Sequence, residues 1–238
     1  MRPVQLDERL AAAAAFVRQG ARMADIGCDH GKLAVHLAMS GRVQHVVAVD
    51  VREGPLAKAR TLVQRAGVET LVDCRLGDGL SAVSPQEADD IVMAGISGVT
   101  IIQLLEAAPA FWQQDKRFIF VPATKTYLLR KWLCEHGFLI EAEQAALAAG
   151  YPYAVLCASY IGEKQRRDMF TDTLGLLAQT DTPQAEAYRQ KVYAALLKIV
   201  NGRQENVHSA DENTAALQKL CGQVKNTLRN DRKTPTAE

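Results

Sequence analysis

The hydrophobic and polar positions in the first two thirds of the chain follow two periods. Apolar residues three to four apart over 6–17, closed by Gly20, predict a first helix. Short apolar runs then predict five strands, and helical spacing follows four of them. The predicted strands are 21–26, 45–50, 71–76, 90–94 and 117–121, and the predicted helices are 32–39, 55–67, 99–107 and 127–136.

Two further strands are predicted at 138–142 and 153–160, with no helix between them, so their pairing must be antiparallel. The uncharged stretch 145–162 is only mildly apolar and is broken by Gly150 and Pro152, which indicates two strands joined by a turn rather than a membrane span. The pattern predicts an α/β, Rossmann-like fold. Its sheet is mostly parallel and doubly wound, and it ends in an antiparallel C-terminal hairpin.

The pattern changes after Gly162, where strand signals stop and helical spacing takes over. A chain of 238 residues allows one substantial domain and a small appendage. We therefore predict a domain over 1–162 and a helical C-terminal domain over 163–238. The latter is interpreted as an antiparallel helical hairpin after a linking helix, with a turn at Asn201-Gly202 and a frayed tail from residue 230.

Charge is nearly balanced at +1, so no global field favours nucleic acid. A local basic patch is possible if the two ends of the helical segment meet, and it could bind phosphates. Its members would be Lys164, Arg166, Arg167, Lys225, Arg229, Arg232 and Lys233. The alternative is a helical hairpin that packs on the first domain or on a second subunit; the sequence leaves the oligomeric state open.

Cysteine usage and the N-terminus bear on location. The five cysteines are odd in number and widely spaced, and neither a CxxC pair nor a Cys/His cluster has zinc spacing. We expect free thiols in a reducing compartment and no metal site. The N-terminus has the wrong charge order for a secretory signal. These features predict a cytoplasmic protein that does not enter membranes.

Candidate chemistry lies at the carboxyl ends of the predicted strands, where such sheets bind ligands. Gly27 lets backbone amides approach a ligand closely, an acid at Asp50 suits a ribose diol, and Asp78 could accept from the amine of an adenine. Together they predict an adenosine site. The candidate cofactor-binding residues are Asp25, Gly27, Cys28, Asp29, His30, Asp50, Val51, Gly77, Asp78, Gly79, Ala94, Gly95 and Ile96.

The acids decide which adenosine cofactor fits. A dinucleotide site typically has GxGxxG, whereas Asp25 and Asp29 here would repel a pyrophosphate, which leaves NAD as a weak alternative. The two carboxylates suit the cationic amino group and sulfonium of S-adenosylmethionine (SAM). A nucleophilic Cys28 is disfavoured because no base has recognisable spacing to it.

The sequence resembles the TrmK family, bacterial SAM-dependent methyltransferases that act on N1 of adenine 22 in tRNA. The resemblance rests on LDERL at 6–10, DIGCDHG at 25–31, AGISG at 94–98, VPA at 121–123 and LRKW at 129–132. It covers residues 6 to about 162 and implies a class I methyltransferase fold with SAM as cofactor and tRNA as partner. The family's helical, coiled-coil-like C-terminal domain agrees with the helical pattern after Gly162.

Several positions depart from the family pattern. Cys28 stands where the family has Ser, Gly31 where it has Ala, Ser97 where it has Gly, and Asp50 where Glu is usual; VPATK at 121–125 replaces QPN. These changes are compatible with SAM binding and bear on the target instead. Another RNA, a small molecule, or a SAM- or RNA-binding module without catalysis are the alternatives.

The resemblance also suggests catalytic roles. Adenine N1 is a nucleophile at neutral pH, so alignment rather than a strong base should supply most of the catalysis. We expect Asp29 nearest the reacting atoms, His30 shaping the cofactor pocket, and Arg9 holding RNA phosphate or the base. The alternatives are that Asp29 only caps a helix, that His30 is packed in the core, and that Arg9 is a solvated helix charge.

Overall fold

The sheet of this protein has the predicted mixed topology. The computed structural model describes residues 4–205 and 212–229, and in this part of the chain seven strands form one sheet in the order β3-β2-β1-β4-β5-β7-β6. The first five strands pair in parallel, and β7 is antiparallel to both of its neighbours. The strands are β1 (Ala21–Ile26), β2 (Val43–Asp50), β3 (Val72–Leu76), β4 (Asp90–Ala94), β5 (Arg117–Val121), β6 (Phe138–Ala148) and β7 (Tyr151–Tyr160).

Helices cover both faces of the sheet. The helices of the described residues are α1 (Glu8–Phe16), α2 (Lys32–Met39), α3 (Glu53–Ala66), α4 (Gly98–Glu106), α5 (Thr126–Glu135), α6 (Met169–Leu174), α7 (Pro183–Glu205) and α8 (Glu212–Lys225). One apolar cluster joins α1, α2 and α3 to the sheet, and a second joins α4, α5 and the later helices to it. Two buried faces explain why β1, β2, β4 and β5 are continuous apolar runs rather than alternating ones.

The C-terminal hairpin is longer than its sequence pattern predicted. β6 continues to Ala148 and β7 begins at Tyr151, so the turn is the two residues Ala149 and Gly150. Both have positive φ, at 49° and 75°, as a two-residue turn between right-twisted strands requires. The prediction of two strands joined by a turn is confirmed.

The predicted turn at Asn201-Gly202 is wrong, because α7 runs through both residues to Glu205. Val200 is buried in the apolar cluster that α7 shares with the sheet, and this packing outweighs the roughly 1 kcal/mol cost of a helical glycine. α7 packs against α8, so the hairpin itself is present with its linking helix α6. The tail from residue 230 lies outside the described residues.

Helices α6 to α8 pack on the sheet instead of standing apart from it. Leu174, Leu177 and Tyr188 are buried in the same cluster as residues of α5 and β6. The boundary after Gly162 stays a prediction.

The basic patch predicted on the helical segment also stays a prediction. Arg229 pairs with Asp181, and Arg167 donates to Cys134 Sγ. Two of its predicted members, Arg232 and Lys233, lie outside the described residues.

Ion pairs hold two adjacent acids at the amino end of the sheet. Asp90 accepts from the backbone and side chain of Arg18 at 2.6 and 2.7 Å, and Asp89 pairs with Arg22 at 2.5 Å. These acids lie at the entry of β4, opposite the edge that carries the candidate chemistry.

Two further predictions can be compared with the structure. All five cysteines are free thiols, as expected. Among the described residues, the helices are too short or too polar to cross a membrane.

Candidate functional site

A cleft of about 500 Å³ opens at the carboxyl ends of β1 to β4. Its size is within the usual range of small-molecule sites. The structure brings all of the candidate residues together along it. They are Arg9, Asp25, Gly27, Cys28, Asp29, His30, Asp50, Val51, Gly77, Asp78, Gly79, Ala94, Gly95 and Ile96.

The loop after β1 is fastened to the end of β2. The N–H groups of Gly27 and Cys28 donate to the carbonyl of Val49 at 2.8 and 2.9 Å, and the N–H of Asp29 donates to Asp50 Oδ2 at 3.0 Å. The amides of Gly27 and Cys28 are therefore not free to bind a ligand, contrary to our expectation. Gly27 contributes a turn with φ of 75° instead, which only glycine adopts without strain.

Asp25 is a buried acid at the bottom of the cleft. It is 3% exposed, and its Oδ2 has no hydrogen-bond partner among the described residues. Burial, followed by the charge of Asp50, raises the pKa of Asp25 to about 7, although a hydrogen bond with the backbone of Ala34 acts in the opposite direction. A cationic group bound here would supply the missing partner and favour the ionised form.

Asp50 is held rigidly at the end of β2. Its Oδ1 accepts from the N–H of Arg52 at 2.9 Å and its Oδ2 from the N–H of Asp29. Each oxygen can accept a second hydrogen bond, so the carboxylate can still bind the two hydroxyls of a ribose. The structure thus fits the sequence argument for an acid at this position.

Asp29 does not cap α2. The N-cap is Gly31 and it makes no side-chain capping bond, so the capping alternative is wrong. Asp29 adopts φ of 50°, and its exposed carboxylate lies 3.2 Å from His30 Nδ1. His30 is likewise 41% exposed at its side chain, which excludes a packed core histidine. The two side chains form a polar pair at the mouth of the cleft.

Cys28 lacks the properties of a nucleophile. Its side chain is buried, and burial, followed by the charges of Asp25 and Asp50, raises the pKa of the thiol far above its usual range. The thiolate is the reactive form of cysteine, so this residue stays unreactive at neutral pH. It serves as a small residue in a tight loop.

Glycines shape the wall after β3. A Cβ at Gly77 would lie 2.5 Å from the Cβ of Ala82, and one at Gly79 would overlap the side chain of Leu104. Asp78 is held between them with an exposed side chain. The close packing explains why glycines flank this acid.

The loops after β4 and β5 extend their pairing at the same edge. The N–H of Ala123 donates to the carbonyl of Ile96 at 2.9 Å, and the N–H of Gly98 donates to that of Thr124 at 2.8 Å. Ser97 is the N-cap of α4 and accepts from the N–H of Thr100 at 3.1 Å. The departure at Ser97 is therefore explained as a helix cap.

Arg9 reaches the cleft from α1. Its Nε donates to Asp7 Oδ2 at 3.0 Å, and its guanidinium lies 5.5 Å from the ring centroid of Tyr153. The side chain is 26% exposed. Arg9 is thus a positioned side chain of the cleft rather than a solvated helix charge.

Other cleft residues were missed by the sequence argument, and two of them had a usable signal. Lys32 comes two residues after His30, at the start of α2, and Arg52 directly follows Val51 in the loop after β2. The others reach the cleft only through packing. The missed residues are Asp7, Leu10, Ile26, Lys32, Leu33, Val49, Arg52, Thr100 and Leu104.

A second, shallower groove of about 350 Å³ shares His30 and Lys32 with the cleft. Its other side is α3, which contributes Lys58 and Arg65 together with Thr61 and Leu62. The lining contains no acid, so this side of the cleft is basic whereas the interior is acidic.

The carboxylates of the cleft fit SAM better than they fit a dinucleotide or a metal ion. Four of the candidate residues in the cleft are aspartates, at 25, 29, 50 and 78, which would repel a pyrophosphate but attract an ammonium and a sulfonium. Asp25 Oδ2 in particular lacks a partner that such a cation supplies. The described residues contain no group of three His, Cys, Asp or Glu side chains with metal-binding geometry.

Comparisons with known proteins agree with this chemistry. A family model described as "Methyltransferase domain" matches residues 6–156. The tRNA (adenine(22)-N(1))-methyltransferase of Bacillus subtilis (strain 168) is 31% identical over 178 residues, which are 75% of this chain and 73% of that protein.

Solved structures extend the similarity to most of the chain. A Streptococcus pneumoniae protein provisionally assigned as a tRNA (m1A22) methyltransferase, solved in complex with SAM, is 28% identical with a TM-score of 0.82. The match covers 94% of this chain and 100% of that one. The B. subtilis TrmK crystal structure matches 95% of this chain at a TM-score of 0.82 and 24% identity, which shows the fold alone.

Proposed function

The chain belongs to the methyltransferase family that includes the tRNA (adenine(22)-N1)-methyltransferases, and we propose on this premise that it transfers a methyl group from SAM to N1 of adenine 22 in tRNA. The observation that carries the proposal is the cleft in which Asp25, Asp29, Asp50 and Asp78 converge at the carboxyl edge of the sheet. The tRNA substrate is inferred from the related proteins, and the acids account for the binding of a cationic cofactor. A cytoplasmic location stays a prediction.

Three of these acids have separate parts in holding the cofactor. Asp25 would accept hydrogen bonds from the ammonium of the methionine portion. Asp50 would accept them from the ribose hydroxyls, and Asp78 from the amine of the adenine. The residues after β4, Gly95 and Ile96, would border the adenosine. When bound, SAM supplies an electrophilic methyl group on a sulfonium and leaves as a neutral thioether.

We assign Asp29 and His30 to the target base. N1 of adenine attacks with its lone pair, and the methylated base is cationic until a proton leaves N6. The carboxylate of Asp29 would accept from N6, with His30 Nδ1 at 3.2 Å holding the carboxylate in position. Arg9 would bind the base or a flanking phosphate. Because the base must leave its stack to reach the cleft, these groups would also hold it there.

The test is transfer of labelled methyl from SAM to an unmodified tRNA transcript, followed by nucleoside analysis. Label in 1-methyladenosine is expected, and it should disappear from a transcript with guanosine at position 22. Label in another nucleoside, or none with SAM binding intact, would instead favour another substrate or a binding module without catalysis.

Asp29→Asn tests the assigned catalytic part. Loss of the carboxylate should lower kcat by about 100-fold, since general acid–base groups typically contribute 10² or more. Glu69→Gln is the matched control, because Glu69 is an exposed acid outside the cleft. Equal kcat values for the two variants would reject the role of Asp29.

A further inference from the structure

The tip of the β6–β7 hairpin projects past the cleft edge of the sheet. β5 ends at Val121, and its last pairing with β7 is Phe120 with Leu156. The part of β7 from Tyr151 to Ala154 therefore extends beyond the carboxyl end of β5, on the side of the sheet where the cleft opens. None of this segment lines the cofactor cleft.

A row of two neighbouring aromatic rings with a cation at each end runs along this tip. Arg9, which lines the cleft, lies over the ring of Tyr153. The rings of Tyr153 and Tyr151 are 5.1 Å apart, as expected for residues i and i+2 on one face of a strand. Lys191 of α7 ends the row, with its Nζ 3.9 Å from the ring centroid of Tyr151. The row thus connects the cleft to the C-terminal helices.

Packing of α7 on the hairpin explains only part of this arrangement. Lys191 Nζ donates to the carbonyl of Pro152 at 2.9 Å, and Tyr153 is partly buried against the core. Tyr151 is different, because it remains 44% exposed despite its contact with Lys191. Two neighbouring aromatic rings with a cation at each end, one of the rings exposed, are the composition of a surface that stacks nucleic-acid bases.

We propose that the row Arg9–Tyr153–Tyr151–Lys191 is the surface on which the tRNA strand next to the target base docks, with Tyr151 as a stacking platform. A base extruded into the cleft leaves its neighbours without a stacking partner, and an exposed tyrosine ring can replace it. Lys191 and Arg9 would face the adjoining phosphates. Tyr153 acts as a positioning residue, since its ring holds Arg9 at the cleft. This inference rests on the proposed function and assigns the RNA-docking surface of that site.

Three variants test the platform in the full-length protein. Tyr151→Leu should raise both the Kd for an unmodified tRNA transcript and the KM for tRNA by about tenfold, with kcat and the Kd for SAM nearly unchanged. Tyr151→Phe keeps the ring and should restore tRNA affinity. Leu139→Ala is the matched control, because Leu139 is another exposed apolar residue of the hairpin but pairs with Ser159 at its far end.

The possible results are distinct. Unchanged tRNA affinity in Tyr151→Leu would overturn the platform. It would also be overturned if Tyr151→Phe lost as much tRNA affinity as Tyr151→Leu, or if the loss in Tyr151→Leu came with a lowered Tm. Weaker RNA binding by Tyr151→Leu, in a parent protein that transfers no methyl group to tRNA, would support the platform and reject the proposed reaction.

Discussion

Asp25 shows how one residue can reduce stability to serve binding. Its buried carboxylate lacks a partner at Oδ2, and the charge of Asp50 adds repulsion, so the folded protein disfavours its ionised form. An unfolded chain ionises the same group near its ordinary pKa. The folded state is therefore progressively destabilised as the pH rises from about 4 to about 7, and the destabilisation is complete above pH 7. Such costs are common at functional sites.

Asp25→Asn should remove this contribution to the pH dependence of stability. We expect the free energy of unfolding of the variant, relative to the parent, to increase by about 3 kcal/mol between pH 4.5 and pH 8.5, since one pKa unit corresponds to about 1.4 kcal/mol. Urea unfolding of both proteins at several pH values, without cofactor, measures this difference in the free energy of unfolding. The same variant should bind SAM more weakly at pH 8.5. Parallel stability profiles for the two proteins would contradict the account of Asp25.

At the scale of elements, the start of α2 depends on its contact with α3. Gly31 has φ of 69°, and a Cβ there would lie 2.9 Å from the Cβ of Ala59. The glycine thus lets the two helices approach directly behind the cofactor loop. The departure from the family pattern at this position is explained by a local fit between α2 and α3.

Gly31→Ala should therefore destabilise the protein by about 1–3 kcal/mol, through left-handed backbone strain and overpacking. Ala59→Gly in the same chain should remove the overpacking but add about 1 kcal/mol for a helical glycine, so recovery should be partial. Chemical unfolding of the parent, both single variants and the double variant gives a double-mutant cycle. Exact additivity would show that the two positions do not interact.

At the scale of the whole molecule, one buried ion pair joins the sheet to the C-terminal helices. Arg130 of α5 and Glu143 of β6 are paired at 2.8 Å, with neither side chain exposed. The Arg130 guanidinium also donates to the carbonyl of Thr173 at 2.7 Å, and lies over the ring of Tyr188. A single side chain thereby connects α5, β6, α6 and α7.

Glu143→Gln should cost about 3–5 kcal/mol, because it leaves Arg130 charged, buried and without a counter-ion. Arg60→Gln removes one member of an exposed pair with Glu53 and should change stability by at most about 1 kcal/mol. The measurement is the free energy of unfolding in urea. Similar losses in the two variants would mean that burial does not control the strength of the Arg130 pair.

The sequence alone determined the sheet and the positions of its chemistry. Apolar runs alternating with helical spacing are local signals, and parallel strands must end at one edge, so Asp25, Asp50 and Asp78 had to converge. The bounds of β1, β4 and β5 agree with the pattern because both of their faces are buried. The short connection between β6 and β7 likewise forced an antiparallel pair.

Only the tertiary structure decided what depends on contacts between distant residues. Packing on the sheet carries α7 through Asn201 and Gly202, although their local preference is for a turn. The N–H groups of Gly27 and Cys28 are bound by Val49, which no local pattern reveals. The row from Arg9 to Lys191 joins α1, β7 and α7, residues up to 182 positions apart along the chain. Such contacts form because folding buries surfaces that the linear pattern does not pair.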